Sequence, residues 1–137
     1  MLAQLEQSKD EIRAAGLKIV AVGIGKPKHA AHFCGRLAPS AACLTNEAND
    51  VHFAWGLKRG GLDQLFNPKL YTASARATRA GFRQGKATGD IAMLGGIFVI
   101  DQQGLVRYAY ANDYAGDYPA IADVLKSLVN PKGLEDL

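Results

Sequence analysis

Leu2, Leu5, Ile12 and Ala15 recur at helical spacing, so residues 2–15 read as an amphipathic helix that Gly16 closes. Leu17–Ile24 is a continuous apolar run and predicts a buried strand. Gly25-Lys26-Pro27 then turns the chain into a second helix, with Pro27 in its first turn and Ala30, Phe33, Cys34 and Leu37 along its apolar side. Ala38-Pro39-Ser40 breaks that helix. Ala41–Leu44 predicts a short strand, and Thr45 or Asn46 a cap for a helix over Glu47–Trp55, where Phe53 and Trp55 are expected in the core. Gly56 ends it, and Lys58-Arg59-Gly60-Gly61 reads as a flexible basic loop. Leu62–Gln84 is broadly helical with an interruption at Asn67-Pro68, and Gly85–Gly89 is loop.

The clearest pattern lies further on. Ile97–Ile100 reads as a buried strand, Asp101-Gln102-Gln103-Gly104 as a turn with glycine at its left-handed position, and Leu105–Ala111 as the returning strand. Val106, Tyr108 and Tyr110 alternate with Leu105, Arg107 and Ala109, as a strand with unlike faces requires. Asp117 is the expected cap of a last helix carrying Pro119 in its first turn and burying Ile121, Val124, Leu125 and Leu128. Asn130-Pro131 stops it. The element order is α-β-α-β-α, a helical insert, then β-β-α. A helix that feeds a buried strand is normally the second half of a β-α-β unit, so a first strand is missing from the front of the pattern. Restoring it gives an α/β fold of the thioredoxin-like kind, a mixed sheet with helices on both faces.

Composition sharpens this only in places. The 137 residues suffice for one domain, taken as 1–130, with 131–137 as a polar tail. No apolar run reaches the roughly 20 residues of a membrane span, and no basic stretch followed by an apolar run opens the chain, so a cytoplasmic location is expected. The net charge of +3 is uneven: Lys58, Arg59, Lys69, Arg76, Arg79, Arg83 and Lys86 face the single acid Asp63 across that stretch. A solvated helix face and an anion site both fit. Nucleic acid is disfavoured, because aromatic residues are not interleaved with the basic ones.

Candidate chemistry is sparse. Cys34 and Cys43 do not form CxxC, and with His29 and His32 they give no zinc pattern, so neither metal nor organic cofactor is expected. Both cysteines lie among apolar neighbours, which favours inert structural roles; they are weak catalytic candidates, and their nine-residue separation also permits a disulfide. No serine-hydrolase elbow, zinc-protease or phosphate-loop motif is present. His52 lacks a partner, and Asp113 and Asp117 read as turn and cap residues.

The hairpin LGGIFVIDQQGLVRYAYAND, the segment NEANDVHFAWGLKRG and the opening LAQLEQSKDEIRAAGLKIVAVGIG together resemble the alkyl hydroperoxide reductase/thiol-specific antioxidant (AhpC/TSA) superfamily, in particular its peroxiredoxin-like 2 group. The resemblance covers residues 2–129. It implies a thioredoxin-like fold whose first strand ends in a CxxC-type motif, which no residue here matches. It therefore implies thiol peroxidase or oxidoreductase chemistry that is absent or very weak in this chain, and leaves enzyme activity open. Gly95-Gly96 falls where many relatives of the fold place a proline beside the thiols, so it marks either close substrate approach or a tight strand entry. Arg59, in the matched Lys-Arg-Gly loop, is a candidate for anion binding or a solvated arginine. Thioredoxin or glutathione is the implied reductant. The alternative is a non-catalytic binding or assembly module that uses the basic surface or an exposed sheet edge. Loss of a central strand leaves three outcomes: closure of the flanking strands, a homodimer that fills the gap, or a longer natural polypeptide. The homodimer is favoured.

Overall fold

The computed structural model describes residues 1–61, 68–79 and 92–129. The opening helix is two pieces, α1 (Leu2–Gln7) and α2 (Lys9–Ala14). They join at Ser8, whose ψ of 12° leaves helical geometry while its N–H still donates to the Gln4 carbonyl at 3.1 Å. Ile12 is buried, and Gly16 closes the segment at φ +77°, where a side chain would be strained. Glu6 anchors this end. It accepts from the Ser40 N–H at 3.0 Å and the Ser40 hydroxyl at 2.9 Å, and pairs with Lys9 at 3.0 Å, so its carboxyl lies below the usual range.

Next come β1 (Val20–Ile24), α3 (Pro27–Leu37) and β2 (Ala42–Asn46). The strands pair in parallel, Val20 opposite Ala42 through Ile24 opposite Asn46, with α3 as the crossover. Cys34 and Ala38 are buried. The predicted burial of the first strand holds for one face only. Ala21 and Cys43 are half-buried, whereas Val20 (56%), Val22 (43%) and Leu44 (58%) are exposed, because no second layer covers that face among the described residues.

Helix α4 is a short Asp50–Ala54, begun by Asn49 rather than Thr45 or Asn46. Asn46 instead uses its side chain to accept from the Ala48 N–H at 2.9 Å, a local turn that delays the helix. Phe53 and Trp55 are exposed rather than core, although the Trp55 ring packs 4.8 Å from Phe98. α5 (Pro68–Arg79) begins at the predicted interruption, with Lys69, Arg76 and Arg79 exposed. Residues 62–67 and 80–91, including Arg83, Lys86 and the Gly85–Gly89 loop, lie outside the described residues, as does 130–137.

β3 (Gly96–Ile100) and β4 (Val106–Ala111) form the antiparallel hairpin, Gly96 opposite Ala111, with a bulge between Val99 and Ile100. Gly104 has φ +82°, as the turn reading requires. Asp101 holds that turn by accepting from the Gln103 and Leu105 N–H groups and from Arg107, at 2.8, 3.0 and 2.6 Å. α6 (Ile121–Val129) buries Val124. Asp117 does not cap it. That carboxylate accepts from the Tyr110 hydroxyl at 2.9 Å and the Asp113 N–H at 3.0 Å, and so ties the end of the hairpin to the loop before α6.

The two sheets, β1-β2 and β3-β4, are separate. Direct closure of the flanking strands, one of the three outcomes open from the sequence, is not seen: no ladder joins β1 to β3 among the described residues.

Candidate functional site

Two places bring together the residues singled out in the sequence. The first lies at the entry to β3. The Lys58–Gly60 segment runs antiparallel to Ala92–Leu94, with Arg59 bridged to Met93, the Gly60 N–H donating to Ala92 at 2.7 Å and the Leu94 N–H to Lys58 at 2.9 Å. Arg59 therefore sits beside the strand entry that carries Gly95 and Gly96, so three candidates far apart in sequence share one locality. The Arg59 side chain is exposed. Its neighbour Lys58 pairs with Asp113 at 3.3 Å, which gives Asp113 an ion-pair role as well as its turn.

Gly95 and Gly96 both have close neighbours where a side chain would start. A Cβ on Gly96 would lie 2.6 Å from the Tyr110 carbonyl oxygen and 2.8 Å from Leu57 Cδ2. One on Gly95 would strike the Tyr118 hydroxyl. At Gly96 the crowding comes from backbone, as a tight strand entry requires, whereas at Gly95 it comes from the end of the Tyr118 side chain. Asn112 completes the locality. Its N–H donates to the Gly95 carbonyl at 2.9 Å, its side-chain amide hydrogen-bonds Tyr118, and it is the most deeply buried polar residue described, at 2% exposure. Its Oδ1 has no partner. Burial pushes the Tyr118 phenol up, with the Asn112 hydrogen bond pulling the other way. The sequence reading missed Asn112 and Tyr118. The hairpin register was the available signal for the first, since Gly96 opposite Ala111 puts Asn112 opposite Gly95.

The second place is the pair Cys34 and Cys43. They are joined in a disulfide, with Cα atoms 6.4 Å apart, and no free cysteine is described. The bond ties the third turn of α3 to the start of β2. Both cysteines line an apolar cavity of about 250 Å³, walled also by Phe33 and Leu37 of α3 and by Ala21 and Ile24 of β1. Among the described residues that line it there is no lysine, arginine, aspartate or glutamate; its one titratable group is His29, whose Nδ1 is buried without a partner. His32, one turn on, packs edge-on against Phe33 at 5.4 Å. His52 is separate, on α4, and burial lowers its pKa.

The disulfide belongs to the β1–β2 half, and the Arg59–Gly95–Gly96 locality to the β3–β4 half. Parallel and antiparallel strand pairs with flanking helices, in this order, are consistent with a thioredoxin-like α/β fold, its sheet here present as two separate pairs. The family model for the AhpC/TSA antioxidant enzyme matches residues 4–113. The chain belongs to that family, whose general role is thiol-dependent, peroxiredoxin-like or oxidoreductase chemistry. No curated protein and no solved structure gives a significant match.

Proposed function

We propose that these 137 residues form a thiol-dependent antioxidant domain whose own peroxidase turnover is absent or very weak. One observation carries this reading. The sequence has two cysteines, both are held in one disulfide, and that disulfide is not in the strand-entry locality where Arg59, Gly95 and Gly96 meet. Peroxide reduction needs a free thiolate to attack a peroxide oxygen. The oxidised pair offers none, and the described lining around it has no lysine or arginine to stabilise one after reduction. The test is rapid mixing of the reduced protein with hydrogen peroxide, quenched by alkylation and read by intact mass. Slow oxidation, at the pace of a free cysteine peptide, supports the reading; a fast burst to sulfenic acid or disulfide overturns it.

A second reading, a binding or assembly module, is favoured by the uncovered face of Val20, Val22 and Leu44 and by two sheets that are not joined. A homodimer formed over that face would bury these side chains, and sedimentation across a concentration series reads it directly. A longer natural polypeptide that supplies a strand would satisfy the same surface. No helix among the described residues is long and apolar enough to cross a membrane. In a cytoplasmic setting, with thioredoxin or glutathione as reductant, Cys34–Cys43 would be a redox couple rather than a permanent tie.

A further inference from the structure

We propose that the Cys34–Cys43 disulfide is an exchange site that captures small uncharged apolar thiols from the cavity it lines. The cavity supplies three things together. Its wall carries an electrophile, because a disulfide sulfur accepts attack by a thiolate. Its volume of about 250 Å³ exceeds the roughly 150 Å³ of an apolar cavity that takes up benzene, so a ring-bearing thiol fits. Its described lining is hydrocarbon apart from the disulfide, His29 and Thr45, and has no lysine, arginine, aspartate or glutamate to pair with the carboxylates and ammonium of a thiol such as glutathione. The electrophile selects a thiol, and the lining selects an apolar one. This site is separate from the strand-entry locality, and it operates on the oxidised pair, whereas peroxide turnover concerns the reduced one.

The step balances without an added oxidant. The incoming thiol loses its proton to solvent, and its sulfur bonds one cysteine Sγ. The Sγ–Sγ bond breaks, and the released cysteine thiolate takes up a proton. The product is one mixed disulfide and one free thiol, the second of which re-forms the original bond if the ligand leaves.

Oxidised full-length protein is incubated with benzyl mercaptan or with glutathione at matched thiolate concentration, trapped with N-ethylmaleimide, and weighed intact. The expected product carries one thiol and one maleimide. It forms about tenfold faster with benzyl mercaptan, the factor expected from burying about 50 Å² of apolar surface. In urea, with the cavity gone, the two rates converge. An Ala30→Leu substitution, which fills the cavity from α3, lowers the preference while far-ultraviolet circular dichroism reports the fold. Equal rates in the folded protein overturn the proposal. So does a folded protein that reacts with neither thiol while the unfolded one reacts with both, since the bond is then a sealed structural tie. A negative peroxide burst leaves this result untouched, and a positive one does not produce it.

Discussion

The β1–β2 half and the β3–β4 half solve the same problem by different chemistry. In the first, two parallel strands and one crossover helix are held by a covalent bond between α3 and β2, and one apolar sheet face stays open. In the second, an antiparallel hairpin is held by side-chain carboxylates: Asp101 inside the turn and Asp117 at the far end, with Asn112 and Tyr118 packed over Gly95. A parallel pair has no tight turn to fix its register, so it gains most from a tie outside the ladder. A hairpin carries its register in the turn. The first half is therefore sensitive to redox state, and the second to pH and to single atoms at its glycines.

The largest expected effect breaks the first half. Reducing the disulfide, or replacing Cys34 and Cys43 by alanine, is expected to cost about 2.5 kcal/mol on the chain-entropy account for a closed loop of sequence separation 9. Hydrogen exchange should show the loss in β1 and β2 amides while β3 and β4 keep their protection. Uniform loss across both halves would erase the distinction. Next, Gly96→Ala forces a methyl against the Tyr110 carbonyl and Leu57, and about 1–3 kcal/mol of destabilisation is expected in urea unfolding. Gly23→Ala in β1, where an added Cβ meets nothing within 4 Å, is the control and should be near neutral.

Tyr110→Phe removes the hydrogen bond to Asp117 and should cost about 1 kcal/mol at neutral pH. That hydrogen bond, ahead of burial, pushes the Tyr110 phenol up to about 12, and Tyr118 and Tyr108 are raised as well, both mainly by burial. Above pH 10 the unfolded chain loses these protons before the folded one does. Stability is therefore full below about pH 10 and falls as pH rises toward 12, and Tyr110→Phe should flatten that fall. The smallest effect is acidic. Asp101 lies below the usual carboxylate range because it accepts from Leu105, Arg107 and Gln103, so its contribution is present above its unfolded pKa and is lost as pH falls. Asp101→Asn should weaken the acid-side slope slightly, read by thermal melts between pH 5 and 2.

Element order and the hairpin were legible because local signals and tertiary outcome agree there: Pro27 opens α3, Gly104 takes the left-handed turn, and Val124 is buried. Asp117 reads locally as a cap, but the Tyr110 hydroxyl competes for it from another element. Phe53 and Trp55 read as core because hydrophobicity does not say whether a second layer exists to cover them. At the site, Arg59, Gly95 and Gly96 were each visible, but their meeting depends on a bridge between residues 59 and 93 that no local pattern encodes. The Cys34–Cys43 bond was likewise open, since sequence separation fixes neither the approach nor the direction of two Cβ atoms.

The disulfide also changes the chain as a mechanical object. Pulled from its ends, the oxidised protein cannot pay out the residues between Cys34 and Cys43, because the load passes through sulfur across a 6.4 Å Cα span. The reduced chain would extend about 25 Å further at full stretch. In a tether, this small domain would carry its oxidation state as a length.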